Sequence, residues 1–162
     1  MRVQPDGLLV CGTGVSDEQV WRKHRDELVR YASVLVGPSD AEDLLSSVVV
    51  RALASTGSLS ALDNPRPYLF RALLNEAKNH SRSKARKVPL PTVPEQDPAD
   101  LRPEVLEAVM RLAPQQRAAV YLTYWKDLGV SEASRLMGCR PGTVKRYLSL
   151  ARNHLKGVLT YE

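Results

Sequence analysis

Two stretches of this 162-residue chain gather basic and amide side chains at helical spacing, the chemistry of polyanion recognition. From Val130 to Leu148 a small residue, Ser134, stands four positions before Gly138, as a close helix crossing followed by a left-handed turn requires. Beyond the turn, Val144, Leu148, Ala151 and Leu155 share one side of a helix. Lys145, Ser149, Arg152 and Lys156 form a contiguous outer stripe beside Arg146 and Asn153. An apolar inner stripe with a basic outer one suits a recognition helix in the major groove. The second stretch puts Leu69, Ala72, Leu73, Ala77 and His80 on one side of a helix. Arg71, Asn75, Lys78 and Arg82 lie almost diametrically opposite, at 100° per residue.

Residues able to do covalent or metal chemistry do not converge. His24, His80 and His154 fall on three different predicted helices, and His80 lies on an apolar side, where a partly buried core histidine is expected. Asp40, Glu42 and Asp43, at i, i+2 and i+3 of a helix, diverge too widely for one octahedral cation. Cys11 and Cys139 are far apart and lack CxxC spacing, which supports neither a disulfide framework nor a zinc site. Cys139 reads as a small buried turn residue rather than a redox group. No enzyme, cofactor or metal is expected. With no run near the roughly 20 apolar residues of a bilayer span and too weak an N-terminus for a signal peptide, the expected location is the cytoplasm.

A formal charge of +5 conceals segregation. Residues 1–64 carry a net −3, residues 65–87 a net +6, residues 95–107 a net −4, and Arg135 to Lys156 six basic residues with no acid. Two basic blocks divided by an acidic stretch suit two surfaces for a polyanion, although two solvated helix faces would carry the same pattern.

The elements that must position these residues are helical throughout, and the expected class is all-α: two small helical domains, a Pro-rich linker and a C-terminal helix-turn-helix. Residues 1–15 show no periodicity and read as a flexible tail. Capping boxes are expected at Ser16 with Gln19 and at Ser39 with Glu42, each opening a helix, with Gly37-Pro38 between them. Residues 55–66 read as a loop, and Pro67 suits the first turn of the third helix. A helical domain over 16–87 is followed by a linker over 88–102, with Pro89, Pro91, Pro94 and Pro98, whose contour reaches roughly 50 Å at about 3.3 Å per residue. A second helical domain occupies 103–162, with helices near 103–112, 114–125, 131–137, capped by Ser131, and 141–160.

Four pieces of sequence carry a resemblance over residues 17–160. They are Asp40-Ala41-Glu42-Asp43-Leu44 with Arg51-Ala52; Asn64-Pro65-Arg66 with Tyr68-Leu69 and Asn75; Leu112 to Arg117; and Leu136-Met137-Gly138-Cys139 with Pro141-Gly142-Thr143-Val144-Lys145. In this order and spacing the chain resembles a bacterial sigma factor of the extracytoplasmic-function (ECF) group, the sigma-70 family members that keep only region 2 and region 4. The resemblance implies core RNA polymerase as partner, through its β′ clamp helices and β flap, together with promoter DNA and an anti-sigma factor. It implies that Asp40, Asp43, Ser47 and Arg51 dock on the clamp helices. It further implies that Asn64, Arg71, Asn75, Lys78, Asn79 and Arg82, with the loop Ser58–Asn64, read and open the −10 element. Arg140, Thr143, Lys145, Arg146, Ser149 and Arg152 would read the −35 element.

The residues themselves leave other readings open. Acids at 40, 42 and 43 also suit a helix N-terminus through its dipole. Ser46-Ser47 and Val49 stand where the family usually has Gln-Glu and an aromatic, and Ala133 where it has a larger aliphatic. Trp21 and Tyr31 read as core, so aromatic platforms for unstacked bases are few. The rival is a helix-turn-helix regulator that binds DNA without joining polymerase. The second basic ridge, at 71–82, separates the two, since a sensor or dimerisation domain has no need of it.

Overall fold

A computed structural model describes residues 2–3, 9–10, 15–84 and 103–159. The whole of the expected linker, 88–102, therefore lies outside the described residues, as do the last three positions. A two-residue antiparallel pairing, Arg2–Val3 (β1) with Leu9–Val10 (β2), precedes the helices; everything else described is helix or turn.

Helix α1 (Asp17–Val36) opens on the expected capping box: Gln19 N–H donates to Ser16 Oγ at 3.2 Å, and Ser16 N–H to Gln19 Oε1 at 2.9 Å. Helix α2 (Pro38–Thr56) does not open on the expected Ser39–Glu42 box. Gly37, at φ 90°, ends α1 and is also the N-cap of α2, and Pro38 takes the first helical position. The ring of Pro38 presets the helical φ and lacks an N–H that would need a cap, so Ser39 already lies inside the helix. Val48-Val49-Val50 is helical, with Val48 buried and Val50 exposed.

The expected loop at 55–66 is shorter than its composition suggests. Helix α2 runs to Thr56, Gly57 reverses the chain at φ 77°, and a 3-10 turn at Leu59–Ala61 buries Leu59 in the core. Helix α3 (Pro65–Lys84) starts at Pro65 rather than Pro67. Leu28, Tyr31, Leu35, Leu45, Leu69, Phe70 and Leu73 fill the space between α1, α2 and α3 with at most 1% exposure each.

The second half holds α4 (Pro103–Met110), α5 (Pro114–Val120), α6 (Val130–Met137) and α7 (Pro141–Leu159). Helix α5 continues into a π turn at Tyr121–Trp125, closed by Lys126 N–H donating to Tyr121 O at 3.0 Å. Ser131 is not the cap of α6; Gly129 holds that place in extended conformation, and Ser131 lies in the first turn, where its carbonyl accepts from Ser134 Oγ at 2.6 Å.

The two halves share one apolar core rather than standing apart. Tyr31 of α1 stacks on Phe70 at 4.6 Å between ring centroids and meets Tyr121 of the second half at 5.9 Å. Such pairs contribute about 0.5–1.5 kcal/mol beyond area burial. The hydroxyl of Tyr31 is buried there without a hydrogen-bond partner among the described residues, which costs about 1–3 kcal/mol.

Candidate nucleic-acid interface

The turn between α6 and α7 has the geometry its sequence calls for. Gly138 adopts φ 69° and ψ 34°, a left-handed conformation that ends α6, and Cys139 N–H donates to Ser134 O at 3.1 Å. Ala133 and Ser134, at 0% and 5% exposure, give the small surface where the helices cross. Val144, Leu148 and Ala151 anchor the inner side of α7. The carbonyl of Arg140 accepts from Thr143 N–H and Val144 N–H, starting the helix.

Of the candidate −35 residues, Arg140, Lys145, Arg146, Ser149 and Arg152 are exposed and Thr143 is half-buried. Among the described residues, none of Lys145, Arg146 or Arg152 is in an ion pair. Their charges face solvent from a rigid helix whose other side is locked in the core. This is a surface that phosphates and base edges can approach without first breaking protein contacts.

Five of the candidate −10 residues, Arg71, Asn75, Lys78, Asn79 and Arg82, lie on α3, and Asn64 lies in the bend just before it. Asn64, Arg71, Asn75, Asn79 and Arg82 are exposed and Lys78 is half-buried. Arg71, Asn75 and Lys78 line a cavity of about 140 Å³ shared with Gln115 of α5 and with Met137, Gly138, Cys139 and Tyr147 of the helix-turn-helix. Arg71 Nε donates to Arg135 O at 2.8 Å, across the two halves. A Cβ placed on Gly138 would come within 3.0 Å of the Arg71 side chain. The turn glycine thus serves its own φ and the close approach of α3.

The Ser58–Asn64 loop is pinned from α1. Asp17 Oδ1 accepts from Ser58 Oγ at 2.5 Å and from Ser60 N–H at 2.8 Å, and the Ser58 bond leads the effects that hold its carboxyl below the usual aspartate range.

On α2 the four candidate polymerase-facing residues divide. Asp43 and Ser47 are exposed. Asp40 lies 3.6 Å from His80 Nε2, and Arg51 pairs with Glu76, both partners on α3. His80 is half-buried beside that carboxylate, as its apolar side suggested.

Sequence reasoning missed a group of charged residues between the halves. Glu27 of α1 accepts from Arg66 Nη2 at 2.6 Å and Nε at 3.0 Å, and Lys126 Nζ lies 3.4 Å away. Burial pushes the Glu27 carboxyl up, but its bonds to Arg66 prevail and hold it below the usual glutamate range. The Arg66 guanidinium also lies 5.4 Å over the Phe70 ring and 3.7 Å from Glu132 of α6. Arg117, 9% exposed, donates from Nε to Leu112 O at 3.0 Å and from Nη1 to Val34 O at 3.2 Å, so its charge is met by carbonyls of both halves. Burial lowers its pKa to about 10, which still leaves it charged at neutral pH. An arginine directly before the apolar run Ala118-Ala119-Val120 was the available signal. Burial likewise raises the Cys139 thiol, with Lys78 opposing. Among the described residues, no group of three His, Cys, Asp or Glu side chains could hold a metal ion, and no helix is long and apolar enough to cross a membrane.

Known proteins with the same pattern fall in one group. The family model for sigma-70 region 2 matches residues 20–87, and that for sigma-70 region 4 matches residues 102–155. The RNA polymerase sigma-E factor of Streptomyces coelicolor is 30% identical over 147 residues, covering 86% of this chain and 83% of the relative. The ECF RNA polymerase sigma factor SigM of Mycobacterium tuberculosis is 30% identical over 163 residues, covering 94% of this chain and 81% of the relative. Among solved structures, the sigma factor RpoE from Bartonella quintana, crystallised with the anti-sigma factor NepR, aligns with a TM-score of 0.66 at 26% identity, over 90% of this chain and 97% of that one. With both regions present in order, and relatives at this identity matched over most of their length, the chain belongs to the sigma-70 family, in its ECF group of RNA polymerase sigma factors.

Proposed function

We propose that this chain joins core RNA polymerase in the cytoplasm and directs it to promoters by dividing recognition between its two basic surfaces. The observation that carries this is the outer side of α7: Lys145, Arg146 and Arg152 are exposed and, among the described residues, outside any ion pair, on a helix anchored behind the Gly138 turn. Arg140, Thr143, Lys145, Arg146, Ser149 and Arg152 read the −35 element in the major groove, Arg146 and Lys145 through base edges and phosphates. Asn64, Arg71, Asn75, Lys78, Asn79 and Arg82 engage the −10 element together with the Ser58–Asn64 loop, which Asp17 holds in shape. Asp43 and Ser47 lead the contact with the β′ clamp helices, since Asp40 and Arg51 are partly engaged with α3, and the second half meets the β flap. Polymerase supplies the chemistry of transcription; this chain supplies position and strand separation.

The Bartonella relative was crystallised with an anti-sigma factor, and we propose a partner of that class for this chain. Run-off transcription with core polymerase on genomic templates tests the proposal. A discrete start that depends on adding the chain is the expected result. Tight duplex binding by the chain alone, with no chain-dependent transcript, would instead establish a regulator that works without polymerase.

A further inference from the structure

We infer that the cavity at the seam between α3 and the second half is a binding site for a small tetrahedral oxyanion of the phosphate class, held by cations of α3 and by neutral donors of α5 and α7. The inference goes beyond the −10 reading and does not depend on it, since phosphate binding is read with no DNA present.

Size and charge select the ligand. The cavity measures about 140 Å³, with Arg71, Asn75 and Lys78 on one wall, Gln115 on a second, and Cys139 and Tyr147 on a third. A water needs about 10–15 Å³ of such space, so there is room for more than a single solvent molecule. Pockets for drug-sized ligands run to about 300–1,000 Å³, so this one suits a compact ion. Two cations line it and, among the described residues, no carboxylate does. Burial raises the Cys139 thiol, which is therefore neutral at pH 7 and adds no negative charge.

The donors are placed and unspent. Arg71 Nε donates to Arg135 O at 2.8 Å, which fixes the plane of the guanidinium. Its two Nη groups, Lys78 Nζ, the amides of Asn75 and Gln115 and the Tyr147 hydroxyl are in no hydrogen bond or ion pair among the described residues. A tetrahedral oxyanion accepts from walls that face one another, whereas a planar carboxylate offers its lone pairs in one plane, and bonds from Arg and Lys to an anion are the strong ones. The exposed Arg71 and Asn75 mark the mouth, and the buried Leu74 and Met137 close the apolar part behind. Gly138 leaves Arg71 the room that a Cβ, at 3.0 Å from its methylenes, would take. Because both halves share one apolar core, these walls are set before a ligand arrives, which lowers the cost of binding.

Thermal unfolding and titration calorimetry of the full chain test this, with sodium phosphate and sodium acetate in parallel and ionic strength held constant with sodium chloride. Phosphate should raise Tm saturably, with one site per chain, and acetate should not. Lys78→Gln should weaken phosphate binding about tenfold and Gln115→Leu about threefold, as expected for a charged and a neutral hydrogen bond. Lys23→Gln, which removes an exposed cation from α1, should bind as the wild type does. Unchanged circular dichroism of each variant keeps a lost site apart from a lost fold. Equal shifts with phosphate and acetate, or equal phosphate binding by Lys78→Gln and the wild type, would overturn the site. Binding of a DNA single strand that Lys78→Gln weakens, with no response to inorganic phosphate, would also overturn it and would leave the −10 role of α3 standing.

Discussion

The outer side of α7 and the basic ridge of α3 carry the same kinds of side chain at the same helical spacing, and both are largely exposed, but the α3 ridge also borders the other half of the molecule. On α7, Lys145, Arg146 and Arg152 face solvent, in no ion pair among the described residues. On α3, Arg71 is bonded to a backbone carbonyl of the other half, and Asn75 and Lys78 line the seam. Sequence patterning marks a surface as basic. Whether that surface can receive a polyanion depends on what the fold packs against it.

The largest effect should come from breaking the open surface. Lys145→Ala with Arg146→Ala should weaken −35 duplex binding by about 2–4 kcal/mol, read by fluorescence anisotropy, with core polymerase binding unchanged. Concurrent loss of polymerase binding would merge two surfaces that the account keeps separate. Next comes the seam. Arg117→Met leaves the carbonyls of Leu112 and Val34 without their buried donor, and should cost about 2–4 kcal/mol in urea denaturation. A loss below about 0.5 kcal/mol would mean that Arg117 does not join the halves in solution.

Glu27→Gln should cost about 1.5–3 kcal/mol at pH 7, as expected for hydrogen bonds to a charged group. The sign of its pH dependence follows from a folded-state pKa held below the unfolded value: the stabilisation is complete above about pH 4.5 and is lost as pH falls through the depressed folded value. The wild-type chain should therefore lose stability below pH 4.5 more steeply than Glu27→Gln. Smallest of all are the exposed i,i+4 pairs Glu18–Arg22 and Glu107–Arg111, whose removal should change stability by less than about 0.5 kcal/mol.

The helices, the Gly138 turn and both basic stripes were legible because period, capping and left-handed glycine are local properties of sequence. The Ser39–Glu42 and Ser131 caps were misplaced for a local reason too, since Gly37-Pro38 and Gly129 take the N-terminal positions first. The seam was not legible. Arg71 bonds a residue 64 positions away and Arg117 one 83 positions away, and no periodicity within either half encodes which carbonyl a guanidinium will find. Nor does any local pattern pair Arg66 with Glu27, 39 positions away.

The division of labour between the two surfaces is tested most directly by crossing protein and promoter substitutions in run-off transcription with core polymerase. The account predicts that Arg146→Ala and a base-pair change in the −35 element are non-additive, because they remove one contact, while Arg146→Ala and a −10 change add. Asn75→Ala should show the reverse pattern. Coupling of Arg146 to the −10 element, or of Asn75 to the −35 element, would contradict it.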